Sequence, residues 1–164
     1  MGNRGRPKLL NSGVLRTVGG TLYEKIDHVA VAVRSLESSL KSYAEILGLG
    51  NWSIEEIPAK KTRLAMLTVG ESRIELLEAT QDDSPVATFI ARRGEGIHHI
   101  CFAVKDLELE IERLKAAGVR LIDAHPRLGA GGCRIAFIHP SNTSGVLIEL
   151  SQREPGSGSK TDLE

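Results

Sequence analysis

Two adjacent histidines, His98 and His99, stand at the start of an otherwise apolar run, IHHICFAV from Ile97. An imidazole there can bind a metal, carry a proton or serve as a hydrogen-bonded core group. If the run is a β-strand, successive side chains point to opposite faces of the sheet, so the doublet divides. His98 then shares a face with Ile100, Phe102 and Val104, and His99 shares one with the small Cys101 and Ala103. The run DHVAVAV repeats the pattern, with Asp27 beside Val29, Val31 and Val33, and His28 beside Ala30 and Ala32. The bulky face is expected to pack beneath a helix, which leaves His28 and His99 on the other face. Two acids lie in apolar runs of their own, Glu75 in RIELL and Glu149 in VLIEL. A buried carboxylate is costly unless it is paired, hydrogen-bonded or bound to metal. Two imidazoles and two carboxylates form a mixed nitrogen and oxygen donor set suited to a divalent cation with open positions, and Co, Mn, Ni, Zn and Mg all accept such ligands.

The elements that must position these residues form a repeat. DHVAVAVRSLESSLKSYAEILGL from Asp27 aligns with HHICFAVKDLELEIERLKAAGV from His98, and His28 falls on His99 at an offset of 71 residues (99 − 28). Each copy opens with a strand and continues with apolar residues at helical spacing: Leu36, Leu40, Tyr43 and Leu47, then Leu107, Ile111, Leu114 and Ala117. Gly48 and Gly118 end those helices. Further strands are expected over Thr62–Val69 and Arg73–Leu77 in the first copy, and over Cys133–His139 and Val146–Ser151 in the second. Weaker strands are expected near Trp52–Ile57 and Arg120–Ala124. Each half is therefore βαβββ, and the fold class is α+β with two tandem modules, 25–80 and 97–152, inside one domain over 25–152. Asp82-Asp83-Ser84-Pro85 starts a linker helix over 84–94, with Ser84 or Asp83 as N-cap and Pro85 at its first position.

Residues 1–24 read as a flexible basic extension and 153–164 as a flexible tail. No acidic residue precedes Tyr23, which is compatible with organelle targeting as well as with a disordered basic arm. The myristoylation pattern hinted at by Met1-Gly2 fails at Arg6. The 21 basic and 21 acidic residues cancel, so no global field draws the chain to nucleic acid or to an acidic membrane, and a small-molecule partner is expected. No run reaches the length of a membrane helix. Cys101 and Cys133 are too few for a disulfide framework and read as reduced, buried thiols of a cytoplasmic protein. His125 and His139, each followed by proline, read as turn-flanking residues.

KIDHVAVAV from Lys25, IELLEATQDDSPVATFI from Ile74, GEGIHHICFAV from Gly94 and RLGAGGCRIAFIHPSNTSGVLIELSQ from Arg127 together resemble the vicinal oxygen chelate superfamily. Its members include glyoxalase I, extradiol dioxygenases, fosfomycin resistance proteins and methylmalonyl-CoA epimerases, and the likeness is greatest to the epimerases. It implies a half-open barrel, a homodimer, an acyl-CoA substrate and a divalent metal held by His28, Glu75, His99 and Glu149. It also makes Glu149 a candidate acid/base. The implied reaction interconverts the 2R and 2S forms of methylmalonyl-CoA through an enolate, which needs a proton-transfer group on each face. Some epimerases carry a carboxylate where Leu64 stands here, and no acid occurs between Glu56 and Glu71, so the second group is unassigned. The glycine loop before the strand from Cys133 is a candidate substrate contact through Gly131, Gly132 and Arg134. Two other readings belong to the same superfamily: a glyoxalase I-type lactoylglutathione lyase, and a non-catalytic small-molecule binding protein.

Overall fold

A computed structural model describes residues 22–153, so most of the expected N-terminal extension and all but Arg153 of the expected tail lie outside the described residues. The first module runs β1 (Tyr23–Val33), α1 (Leu36–Leu47), β2 (Trp52–Ile57), β3 (Thr62–Val69) and β4 (Ser72–Ala79). The linker helix α2 (Pro85–Arg93) follows. The second module runs β5 (Gly96–Val104), α3 (Leu107–Ala116), β6 (Arg127–Leu128), β7 (Arg134–Ile138) and β8 (Leu147–Gln152). All eight strands form one sheet in the order β2-β3-β4-β1-β5-β8-β7-β6. β1 and β5 pair antiparallel at its centre and join the modules, while β4 pairs parallel with β1 and β8 with β5.

Local chemistry explains the helix limits. Ser35, Ser84 and Asp106 each accept the backbone N–H three residues on, capping α1, α2 and α3. Asp83 instead pairs with Lys61, which settles Ser84 as the cap. Gly48 ends α1 in the left-handed region at φ 67°, where a side chain would be strained. The duplication extends further than the aligned runs. Glu78 Oε2 accepts the N–H of Leu36 at 2.7 Å, and Gln152 Oε1 accepts that of Leu107 at 3.1 Å, so each module ties the end of its last strand to the start of its helix.

α1 buries Leu36 and Leu40 against Val33, Ala65, Leu67 and Leu76. α3 buries Leu107, Ile111 and Leu114 against Val104, Ala136, Ile138 and Leu150. Each such large side chain contributes roughly 1.5–3 kcal/mol by leaving water. α2 packs Val86 and Ile90 on the other face, over Ala30, Ala32, Leu64 and Leu77. The small residues on β1 thus make room for a helix that closes one end of the concave surface.

Two expectations are corrected here. The weak strand placed near Arg120–Ala124 shrinks to a bridge between Leu121 and Ile138, and the short strand is Arg127–Leu128. Pairing stops because the Asp123 side chain, at 2.9 Å, takes the Phe137 N–H that a strand carbonyl would have accepted. Strict alternation also fails beside both histidines. The β1–β5 register skips Asp27 on β1, between Ile26↔Phe102 and His28↔Cys101. It skips His98 on β5, between Ala30↔His99 and Val31↔Ile97. Each skipped residue is the extra residue of a β-bulge, which re-aims side chains. Asp27 and His98 therefore line the concave surface together with His28 and His99 rather than facing the helix layer.

Candidate active site

Register brings the donor set together from four strands. Glu75 on β4 stands opposite Ala30, two residues beyond His28, and Glu149 on β8 stands opposite Cys101, two residues beyond His99. The antiparallel β1–β5 pair then relates the two halves across the sheet centre. His28 Nε2 lies 3.2 Å from His99 Nε2 and 3.6 Å from Glu75 Oε2. His99 Nε2 lies 3.7 Å from Glu75 Oε2 and 3.1 Å from Glu149 Oε2. All four side chains are buried.

The bulged residues hold the imidazoles. His28 Nδ1 donates to Asp27 Oδ2 at 2.8 Å, which leaves the Nε2 lone pair facing the cluster. Burial alone would raise the Asp27 carboxyl, but its hydrogen bond with His28 and the charge of Arg73 hold it down at about 2. His98 Nδ1 meets His99 Nδ1 at 2.9 Å, so His99 too has its far nitrogen engaged by the preceding residue. Burial, and then the charge of His99, push His98 down to about 4, and its ring packs edge-on against Phe89 of α2.

The two acids differ. Burial pushes Glu75 up to about 7, with the charge of His99 opposing and that of Glu149 adding to the rise. Burial acts upward on Glu149 as well, yet the hydrogen bond and charge of His99 outweigh it and keep that carboxyl below its ordinary value. Burial likewise raises the Cys101 thiol, so it stays protonated and meets Glu149 Oε1 at 3.7 Å. Asp27, His28 and Cys101 form a second possible ligand group, but a protonated thiol and a carboxylate already held by Arg73 make it the poorer donor set. His28, His99 and Glu149 offer ligand atoms that all lie within 4.8 Å of one another, a spacing that fits a divalent cation, and Glu75 Oε2 stands beside the two Nε2 atoms.

The cluster forms the floor of a cavity of about 800 Å³ walled by both modules. Phe137 closes one side with its ring edge-on to His99, and the Arg127 guanidinium, held at Nε by Asp123, lies over Phe137. No signal in the sequence marked Asp123 or Phe137, because their alignment depends on the irregular chain between α3 and β6. Of the residues expected to contact substrate, Gly131 lines the cavity, and its N–H donates to Glu55 at 3.1 Å. Gly132 and Arg134 do not line it. On β7 the alternation sends Ile135 and Phe137 inward, as Cys133 just before it also points, and Arg134 points to the helix side, where it pairs with Glu108.

The glyoxalase/bleomycin resistance protein/dioxygenase superfamily model matches residues 27–137, and the chain belongs to this superfamily. An ethylmalonyl-CoA/methylmalonyl-CoA epimerase of Cereibacter sphaeroides is 35% identical over 130 residues, covering 78% of this chain and 97% of the relative. The crystal structure of methylmalonyl-CoA epimerase from Mycobacterium tuberculosis superimposes with a TM-score of 0.79 at 34% identity, covering 85% and 94% of the two chains. A Streptomyces coelicolor methylmalonyl-CoA epimerase in complex with 2-nitronate-propionyl-CoA gives 0.77 at 34% identity, covering 81% and 99%. Within the superfamily the chain is a member of the methylmalonyl-CoA epimerase family. A probable lactoylglutathione lyase of Vibrio parahaemolyticus is more distant, 27% identical with 81% of this chain and 94% of the relative covered.

Proposed function

We propose that the chain epimerises methylmalonyl-CoA at C2, interconverting the 2R and 2S forms, with a divalent metal held by His28, Glu75, His99 and Glu149. The observation that carries the metal reading is the convergence of these four side chains, one pair from each module. C2 of the substrate lies between a thioester carbonyl and a carboxylate, so removal of its proton leaves an enolate. A bound divalent cation would supply positive charge where that enolate develops.

The chain's own residues do the rest. Asp27 and His98 fix the tautomers and orientation of the two imidazoles. Glu149, kept ionised by its His99 contact, is the candidate for moving the C2 proton on one face. Phe137 and α2 shield the floor of the cavity from water, and the Gly131 amide lies at its rim. A homodimer fits the outer face of β2, which exposes Trp52 and Ile54. Among the described residues no helix is long and apolar enough to cross a membrane, and two free thiols suit a reducing compartment such as the cytoplasm.

A set of two histidines and two glutamates also suits a lactoylglutathione lyase, which keeps that reading as the second one. Parallel assays separate them: deuterium exchange at C2 of methylmalonyl-CoA, and turnover of the methylglyoxal and glutathione hemithioacetal. Exchange with the thioester supports the epimerase. Turnover of the hemithioacetal alone would replace it with the lyase, and binding without turnover of either substrate would favour the non-catalytic member.

A further inference from the structure

Inverting a carbon through a planar enolate needs a proton-transfer group on each face, and the four-residue cluster accounts for one face at most. Most other ionisable groups on the cavity wall are already committed. Asp27 is held by Arg73 and His28, and Asp123 by Arg127 and the Phe137 N–H. Burial raises the Cys133 thiol. Lys60 also lines the wall, in the turn that follows β2, where burial and then the charge of Arg127 lower its ammonium group, so it is the rival that the test includes.

Glu55 is placed differently. It lies on the edge strand β2, directly across the ladder from Leu64, which in turn faces Leu77. Glu75, Met66 and Ser53 make the neighbouring row across the same three strands. Glu55 is thus the one acid on a row otherwise formed by leucine, one step along the strands from the cluster. β2 and β8 are separated by four strands of the curved sheet, so Glu55 reaches the cavity from the first module's edge while Glu149 stands on its floor, in the second module. The N–H of Gly131, from the loop beside the other sheet edge, donates to the Glu55 carboxylate and aims it across the opening. Gly131 and Gly132 adopt φ of 61° and 73° to present that loop, a conformation open to glycine.

We propose that Glu55 is the second proton-transfer group, acting on the face of the enolate opposite Glu149, a role that rests on the epimerase reading above. In one direction the Glu149 carboxylate takes the C2 proton, the C–H electron pair passes into the enolate, and the Glu55 carboxylic acid returns a proton to the other face. In the other direction the roles exchange, and solvent resets the protons between turnovers. No oxidant or further reactant is needed.

The test follows each epimer of methylmalonyl-CoA in deuterated water with the metal-loaded parent, Glu55→Gln, Glu55→Asp and Lys60→Met. Glu56→Gln, on the same strand but pointing away from the cavity, is the control. Glu55→Gln is expected to slow inversion by about 100-fold or more while one epimer still exchanges its C2 hydrogen with retained configuration. Glu55→Asp is expected to restore part of the inversion, and metal binding is expected to be unchanged in both. Inversion by Glu55→Gln within about threefold of the parent, equal loss of exchange from both epimers, or transfer of the one-sided phenotype to Lys60→Met would overturn the proposal. A parent that exchanges neither epimer would instead remove the epimerase reading itself.

Discussion

At the residue scale, the two histidines of the doublet differ in what their ring nitrogens meet. His99 sends Nε2 toward Glu149, Glu75 and His28, whereas His98 spends its Nδ1 on His99 and its ring on Phe89. Calorimetric titration with a divalent cation should show binding abolished in His99→Ala and largely kept in His98→Ala; the reverse order would mean that the ligand is His98. Glu75 sets the pH response. Its carboxyl, raised to about 7 before metal binds, must lose its proton to become a ligand, so affinity should fall as pH drops below about 7. One competing proton weakens binding about tenfold per pH unit there, and Glu75→Gln should remove that share of the slope. The donor types and the offset of 71 residues were legible in the sequence because imidazoles and acids inside apolar strands have few other uses. The engagement of Asp27 and His98 was not, because a bulge changes parity without leaving a mark in the hydrophobic pattern.

Among the elements, α2 links stability to the site, since Val86 and Ile90 cover Ala30 and Leu77 at one end of the cavity. Its cap Ser84 is fully buried and accepts the Ala87 N–H at 3.0 Å. Ser84→Ala should cost about 1 kcal/mol, read as a lower midpoint in thermal or urea unfolding, while Ser84→Gly should cost only a few tenths. An unchanged midpoint in the alanine variant would mean that the cap contributes nothing. Seven of the strands and all three helices followed from periodicity, glycine stops and the Ser84-Pro85 start. β6 did not, because its position depends on Asp123 replacing a ladder carbonyl, a side-chain choice that alternation cannot register. Arg134 went astray for a related reason: proximity in sequence to the glycine loop suggested the cavity, but strand parity turns it toward Glu108.

On the scale of the whole molecule, one cluster is shared by two modules. Glu75 and His28 come from the first, His99 and Glu149 from the second, and the antiparallel β1–β5 seam sets their separation. Apolar truncations at that seam's flanks should therefore damage both stability and metal binding. Leu76→Ala beside Glu75 is expected to cost about 2–5 kcal/mol in urea unfolding and to weaken the cation titration, and an effect on neither would detach the core from the site. The duplicated architecture was legible from the repeat, while the cavity that it encloses was not, since its walls depend on how the sheet curves and on where α2 lies. Metal-assisted epimerisation is tested most directly by following inversion at C2 in deuterated water with the metal-loaded chain, with the chain after chelation, and after the metal is restored. Deuterium should enter C2 as 2R and 2S equilibrate, chelation should slow both by about 100-fold or more, and added metal should restore them. Inversion unaffected by chelation, or no exchange with metal present, would contradict it.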